Sequence, residues 1–152
     1  MDMPHDLQRF IDAQAPVFDQ VLDELHAGRK HTHWMWFIFP QLRSLGRSAT
    51  ARHFGLTDLA EARDYATHPL LGTRLVSSSQ ALLGLSGLTA HQIFGSPDDL
   101  KLRSCMTLFE RAAGANTPFG LVIERYCAGE RDPLTLQALA GTEGDAADTP
   151  RA

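Results

Sequence analysis

Apolar residues recur along this chain at spacings of three and four, the period of a helix with one buried face. Leu7, Phe10 and Ile11 form a first short stripe, and Phe18, Val21, Leu22 and Leu25 a second that stops at Gly28. A third opens at Thr57 or Asp58 and runs through Leu59, Ala62 and Tyr65 to about Thr67. Behind Pro69, the residues Leu71, Leu75, Ser78, Leu82 and Leu85 share a face; behind Pro97, so do Leu102, Cys105, Met106 and Phe109. Phe119, Val122, Ile123 and Tyr126 follow Pro118, and Leu136 and Leu139 follow Pro133. Pro16, Pro69, Pro97, Pro118 and Pro133 are each expected at a helix start, where the missing N–H has no intrahelical partner to lose. Ser96, Thr117 and Asp132 precede three of them as expected N-caps, with Asp98 and Asp99 placing negative charge in a first turn.

One stretch fits either period. In HWMWFIFPQL, residues 33–42, a strand would bury Trp34, Trp36 and Ile38 on one face and Met35, Phe37 and Phe39 on the other. No neighbouring segment offers a second strand, so a helix ending before Pro40 is the better expectation. The fold class that follows is all-α, a compact array of about eight short helices with no internal repeat.

A length of 152 residues suits one domain, expected over 1–140. The ending GTEGDAADTPRA, residues 141–152, has no apolar period and is expected to be a disordered acidic tail. The N-terminal residues lack the pattern of a secretory signal, and no apolar run approaches the roughly 20 residues of a membrane span. Cys105 and Cys127 make no CxxC motif, so a reducing, cytoplasmic location is expected and no disulfide framework.

Charge sharpens the picture at one place. The whole chain carries −4, yet residues 25–57 contain no Asp or Glu and hold Arg29, Lys30, Arg43, Arg47 and Arg52, with His26, His31, His33 and His53 beside them. That stretch is also the one with both tryptophans.

Three segments carry a family resemblance: RKHTHWMWFIFPQLRSLGRSATARHFGL (29–56), LAEARDYATHPLLGTRL (59–75) and IFGSPDDLKLRSCMTLF (93–109), with FGLVIERYCAGERDPLTLQAL behind them. Together they resemble a bacterial family known as domain of unknown function 1810, over about Leu7 to Leu139. The resemblance implies a single, mainly helical domain and supplies no substrate or catalytic residue; the acidic tail is the one departure from the family pattern.

Candidate chemistry concentrates in the acid-free stretch. Lys30, His31, His33 and Arg43, flanked by Trp34 and Trp36, have the makings of an anion site with an aromatic wall, phosphate or carboxylate on the cations and a ring on the indole. The plainer alternative makes the aromatic block core and leaves the cations solvated at its edge. Arg74, Lys101 and Ser104 extend the set if their helices face the tryptophans across a cleft; otherwise Asp98 and Lys101 are a surface i, i+3 pair. His31 and His33 lie two apart, which on a helix points their rings about 200° apart. With no neighbouring Cys, Asp or Glu, and only His53 or His68 to come from elsewhere, no metal site is expected. Free cysteines are usually buried and inert, which argues against either as a nucleophile. There is no GxGxxG, P-loop, HExxH or GxSxG, so no cofactor and no catalytic residue is assigned and enzymatic activity stays open. The expected function is binding, with or without turnover, of an anionic small molecule such as a nucleotide or phosphorylated metabolite. A non-catalytic protein-interaction module is the alternative; the acidic balance disfavours nucleic acid.

Overall fold

Gly28 ends the second apolar stripe as its position predicts: at φ +77° it turns left-handed, and its N–H reaches back to the carbonyls of Glu24 and Leu25. In the computed structural model, which describes residues 6–141, the chain is helical around it. Helices α1 (Gln8–Gln14) and α2 (Phe18–Ala27) lead to the single turn α3 (Met35–Ile38), a 3-10 turn (Arg43–Leu45) and α4 (Ala49–His53). Then come α5 (Leu59–Thr67), α6 (Leu71–Leu83), α7 (Ala90–Phe94), α8 (Asp98–Ala113), α9 (Pro118–Tyr126) and a last helix, α10 (133–141). Among the described residues there is no strand, only an isolated parallel bridge between Leu42 and Leu56. The all-α class therefore holds, and no described helix is long and apolar enough to cross a membrane.

α8 is the axis of the packing. It buries Leu102, Cys105, Met106, Leu108 and Phe109 and lies against α5, α7 and α9. Each such Leu or Phe contributes roughly 1.5–3 kcal/mol relative to an exposed one. α6 can bury serines because Ser78 and Ser79 donate to the carbonyls of Arg74 and Leu75, four residues back. Tyr65, sealed beside Phe10 and Phe109, receives a hydrogen bond on its hydroxyl from Gln14 at 2.9 Å.

Several local expectations are corrected. Pro118 and Pro133 do sit at first helical positions, but Pro16, Pro69 and Pro97 lie in the turns ahead of α2, α6 and α8. Asp132 caps α10, accepting from Thr135 N at 3.0 Å, and Asp58 caps α5 by accepting from Glu61 N. Ser96 and Thr117 do not cap; Thr117 Oγ1 turns outward from its helix to donate to Gly114 O. The block at 33–39 forms one turn rather than a full helix, because Trp34 is anchored from outside and Phe39 leaves the helical region. Helices α4 and α7 were absent from the sequence expectation: α4, ATARH, has no apolar stripe, while α7 is announced by the Thr89–Gln92 capping box. The acidic tail beyond Gly141 lies outside the described residues.

Candidate functional site

The acid-free stretch divides into two basic regions with different fates. The first is organised by Glu24 of α2, which is only 6% exposed. Its carboxylate accepts from His31 N at 2.7 Å, Thr32 N at 3.1 Å, Thr32 Oγ1 at 2.7 Å and Trp34 Nε1 at 2.9 Å. Burial alone would raise this carboxyl's pKa; the donors outweigh it and hold the group at about 2. The loop from 29 to 34 is thus fixed, with the Trp34 indole sealed at 1% exposure.

Beyond that loop, Lys30 Nζ meets Asp98 Oδ2 at 3.1 Å and lies 5.3 Å from the Trp34 ring centre. Lys101 Nζ meets the other oxygen of Asp98 at 3.4 Å and lies 5.3 Å from the Trp36 ring centre. Lys30, Trp34, Trp36 and Lys101, four of the residues expected to share a site, are therefore brought together. The acid between the two lysines comes from the first turn of α8, 68 positions after Lys30 in the sequence. Trp36 remains half-buried, while the Lys30 side chain is only 8% exposed.

The second region forms where two extended pieces touch. Arg43 N donates to Leu56 O at 2.7 Å and Leu56 N to Gln41 O at 2.8 Å, so residues 41–43 run beside 55–57. Gly55 permits this: a Cβ there would stand 2.3 Å from the Cα of Arg43, a backbone clash no rotamer relieves. Arg9 of α1 then pins the end of α4, donating from Nε to His53 O at 2.8 Å and from Nη2 to Gly55 O at 2.9 Å. Nη1 of Arg9 also donates to Asp6 O and pairs with Glu61 at 3.3 Å. The Glu61 carboxylate itself accepts from Thr57 N at 2.6 Å. A groove of about 400 Å³ results, lined by Asp6, Arg9, Arg43, Arg52 and His53. Arg9 is neutralised and acts as a strut. Arg43 and Arg52 are exposed and make no side-chain hydrogen bond or ion pair among the described residues.

The remaining expected site residues are dispersed. Arg74 lies over the Phe18 ring at 5.0 Å and donates to Gln14 Oε1 at 3.2 Å. Ser104 donates to Asp132 Oδ2 at 3.1 Å, in the network that caps α10. His31 and His33 are exposed on the Glu24-anchored loop. Arg43 is in the groove, apart from the Lys30 partners. Among the described residues no cluster of three or more His, Cys, Asp or Glu is arranged to hold a metal. Burial pushes the Cys105 thiol well up and the Cys127 thiol to about 11, which keeps both protonated and poorly nucleophilic at neutral pH. A larger groove of about 440 Å³ between α2 and α6 is lined by Leu22, His26, Ser77, Gln80, Ala81 and Leu85. Among the described residues its lining holds no Lys, Arg, Asp or Glu.

Arg9, Arg52 and Asp6 were not among the expected site residues. Arg52 and His53 were visible as members of the acid-free stretch; Arg9 and Asp6 carried no signal, since their place beside Gly55 depends on the tertiary fold.

The family model described as protein of unknown function (DUF1810) matches residues 4–139. No curated protein matches the chain. Among solved structures, the chain is similar to the conserved hypothetical protein Rv1873 from Mycobacterium tuberculosis, at 49% identity and a TM-score of 0.89, covering 91% of this chain and 99% of that one.

Proposed function

Because the chain belongs to the DUF1810 family, whose description names no chemistry, we propose from its own side chains that it binds an anionic small molecule in the groove between α1, α4 and the 3-10 turn. The observation that carries this reading is that Arg43 and Arg52 line one groove and neither is paired to an acid among the described residues. Two unpaired guanidiniums present ten N–H donors in planar forks suited to phosphate or carboxylate oxygens. The cations beside the tryptophans are poorer candidates, since an incoming anion there must compete with Asp98, which already holds both. The groove volume lies at the lower end of the range for small-molecule sites, which favours a metabolite over a macromolecule.

A thermal-shift panel of phosphorylated and carboxylated metabolites at constant ionic strength tests the reading. A ligand at 100 times its Kd stabilises by about 2.7 kcal/mol. The double variant Arg43→Ala/Arg52→Ala should lose that stabilisation, while Lys101→Ala should keep it. Absence of any shift in the wild-type protein would overturn the proposal.

A further inference from the structure

We infer that the ligand of this groove is a phosphate monoester of a polyol or sugar, with no aromatic base. The inference rests on the anion-binding reading above and adds the chemistry of the rest of the molecule. Three features of the lining carry it.

The first is the number of unpaired guanidiniums. One carboxylate has two oxygens and is satisfied by a single arginine fork. Arg43 and Arg52 together suit a group with three terminal oxygens, which a phosphate monoester presents. They approach from different pieces of chain, Arg43 from the 3-10 turn and Arg52 from α4; the Leu42–Leu56 bridge ties the two pieces together, and Arg9 holds the end of α4 to α1. That tie fixes the spacing of the two backbones, so that binding has only the arginine side chains left to order.

The second feature is Asp6. It lines the same groove and is exposed, and its side chain makes no hydrogen bond or ion pair among the described residues; Arg9 is bound to its backbone oxygen. A carboxylate beside an anion site repels any phosphoryl group, free or esterified. The same carboxylate is an acceptor-only group, and it gains from a ligand that brings hydroxyl donors along with its phosphoryl group. Asp6 therefore selects for a hydroxylated phosphate over inorganic phosphate or a polyphosphate.

The third feature is the lack of a Phe, Tyr or Trp wall among the described lining residues. The His53 ring packs edge-on against Phe54 at 4.7 Å between centres. Both tryptophans are committed elsewhere, each with a lysine at its ring. A nucleotide base would meet no Phe, Tyr or Trp face among these described residues, whereas the groove volume accommodates a small sugar phosphate.

Isothermal titration of the full chain with inorganic phosphate, ribose 5-phosphate, ribose and adenosine 5′-monophosphate tests this, on the wild type and on Asp6→Asn. Asp6 is exposed and contributes only its backbone oxygen to Arg9, so the variant keeps the fold, which circular dichroism checks. The expected result is ribose 5-phosphate binding about tenfold tighter than inorganic phosphate, the size of one hydrogen bond to a charged acceptor. Ribose should not bind, and the nucleotide should bind no tighter than the sugar phosphate. In Asp6→Asn the preference should shrink, with the affinity for inorganic phosphate unchanged or raised. Equal affinity of the wild type for phosphate and ribose 5-phosphate would overturn this inference while leaving the anion-binding reading intact; so would a nucleotide that binds tightest, or a preference that survives in Asp6→Asn. Loss of all binding, phosphate included, would overturn both.

Discussion

The lysine pair beside the tryptophans and the arginine pair beside Gly55 draw their first members from the same acid-free stretch, yet they end in opposite electrostatic states. Lys30 and Lys101 share Asp98, and each ammonium also faces an indole ring. Arg43 and Arg52 have no such partner among the described residues, and the nearby Glu61 is taken by Arg9 and Thr57. A run of positive residues therefore says little by itself. What decides its use is whether the fold delivers an acid from a distant helix to it. Partly buried lysines without Asp98 would be costly to desolvate, so that pairing is needed for packing; arginines at an open groove remain hydrated and need none.

Breaking each region in turn should expose this difference, and the largest effect belongs to the tryptophan side. Trp34→Ala removes a sealed indole and a donor to Glu24, so chemical denaturation should show a loss of roughly 3–5 kcal/mol. Trp36→Ala, at a half-buried ring, should cost far less.

Next comes acid. Glu24 is held at about 2 when folded, below its ordinary value of 4.5. Its contribution is complete above pH 4.5 and disappears as the pH falls through 2. The shift corresponds to about 3 kcal/mol, and Glu24→Gln should flatten the stability profile across that window.

Asp98→Ala is the variant that converts one region into the other. It should destabilise by roughly 1–3 kcal/mol, the cost of leaving a charged partner unmatched, and should create weak anion binding between Lys30 and Lys101 that the wild type lacks there. Titration with phosphate in the Arg43→Ala/Arg52→Ala background reads that new site alone. Smallest of all is the stability effect of Arg43→Ala/Arg52→Ala itself: exposed and unpaired, these side chains should change unfolding free energy by no more than about 0.5 kcal/mol while anion binding is lost.

The helices were legible wherever a stripe of apolar residues had to face the core, as in α2, α5, α6, α8 and α9, and the stop at Gly28 followed from its freedom to turn left-handed. Short elements whose reason is capping or contact were not: α4 has no stripe at all, and α3 is one turn fixed by Glu24 from ten residues away. The candidate site was legible in the same uneven way. Lys30, Trp34, Trp36 and Lys101 were expected together and are together; Arg43 went to a different groove, and Arg74 and Ser104 to private partners. The choice of partners is made by contacts across dozens of residues, such as Lys30 with Asp98 or Arg9 with Gly55, which no local pattern encodes.

The most direct measurement is a phosphate titration followed by NMR, observing arginine side-chain Nε–H and tryptophan indole N–H signals together. The account predicts saturable shifts for Arg43 and Arg52 with the Trp34 and Trp36 indoles unmoved. Shifts at Trp36 with silent arginines would contradict it.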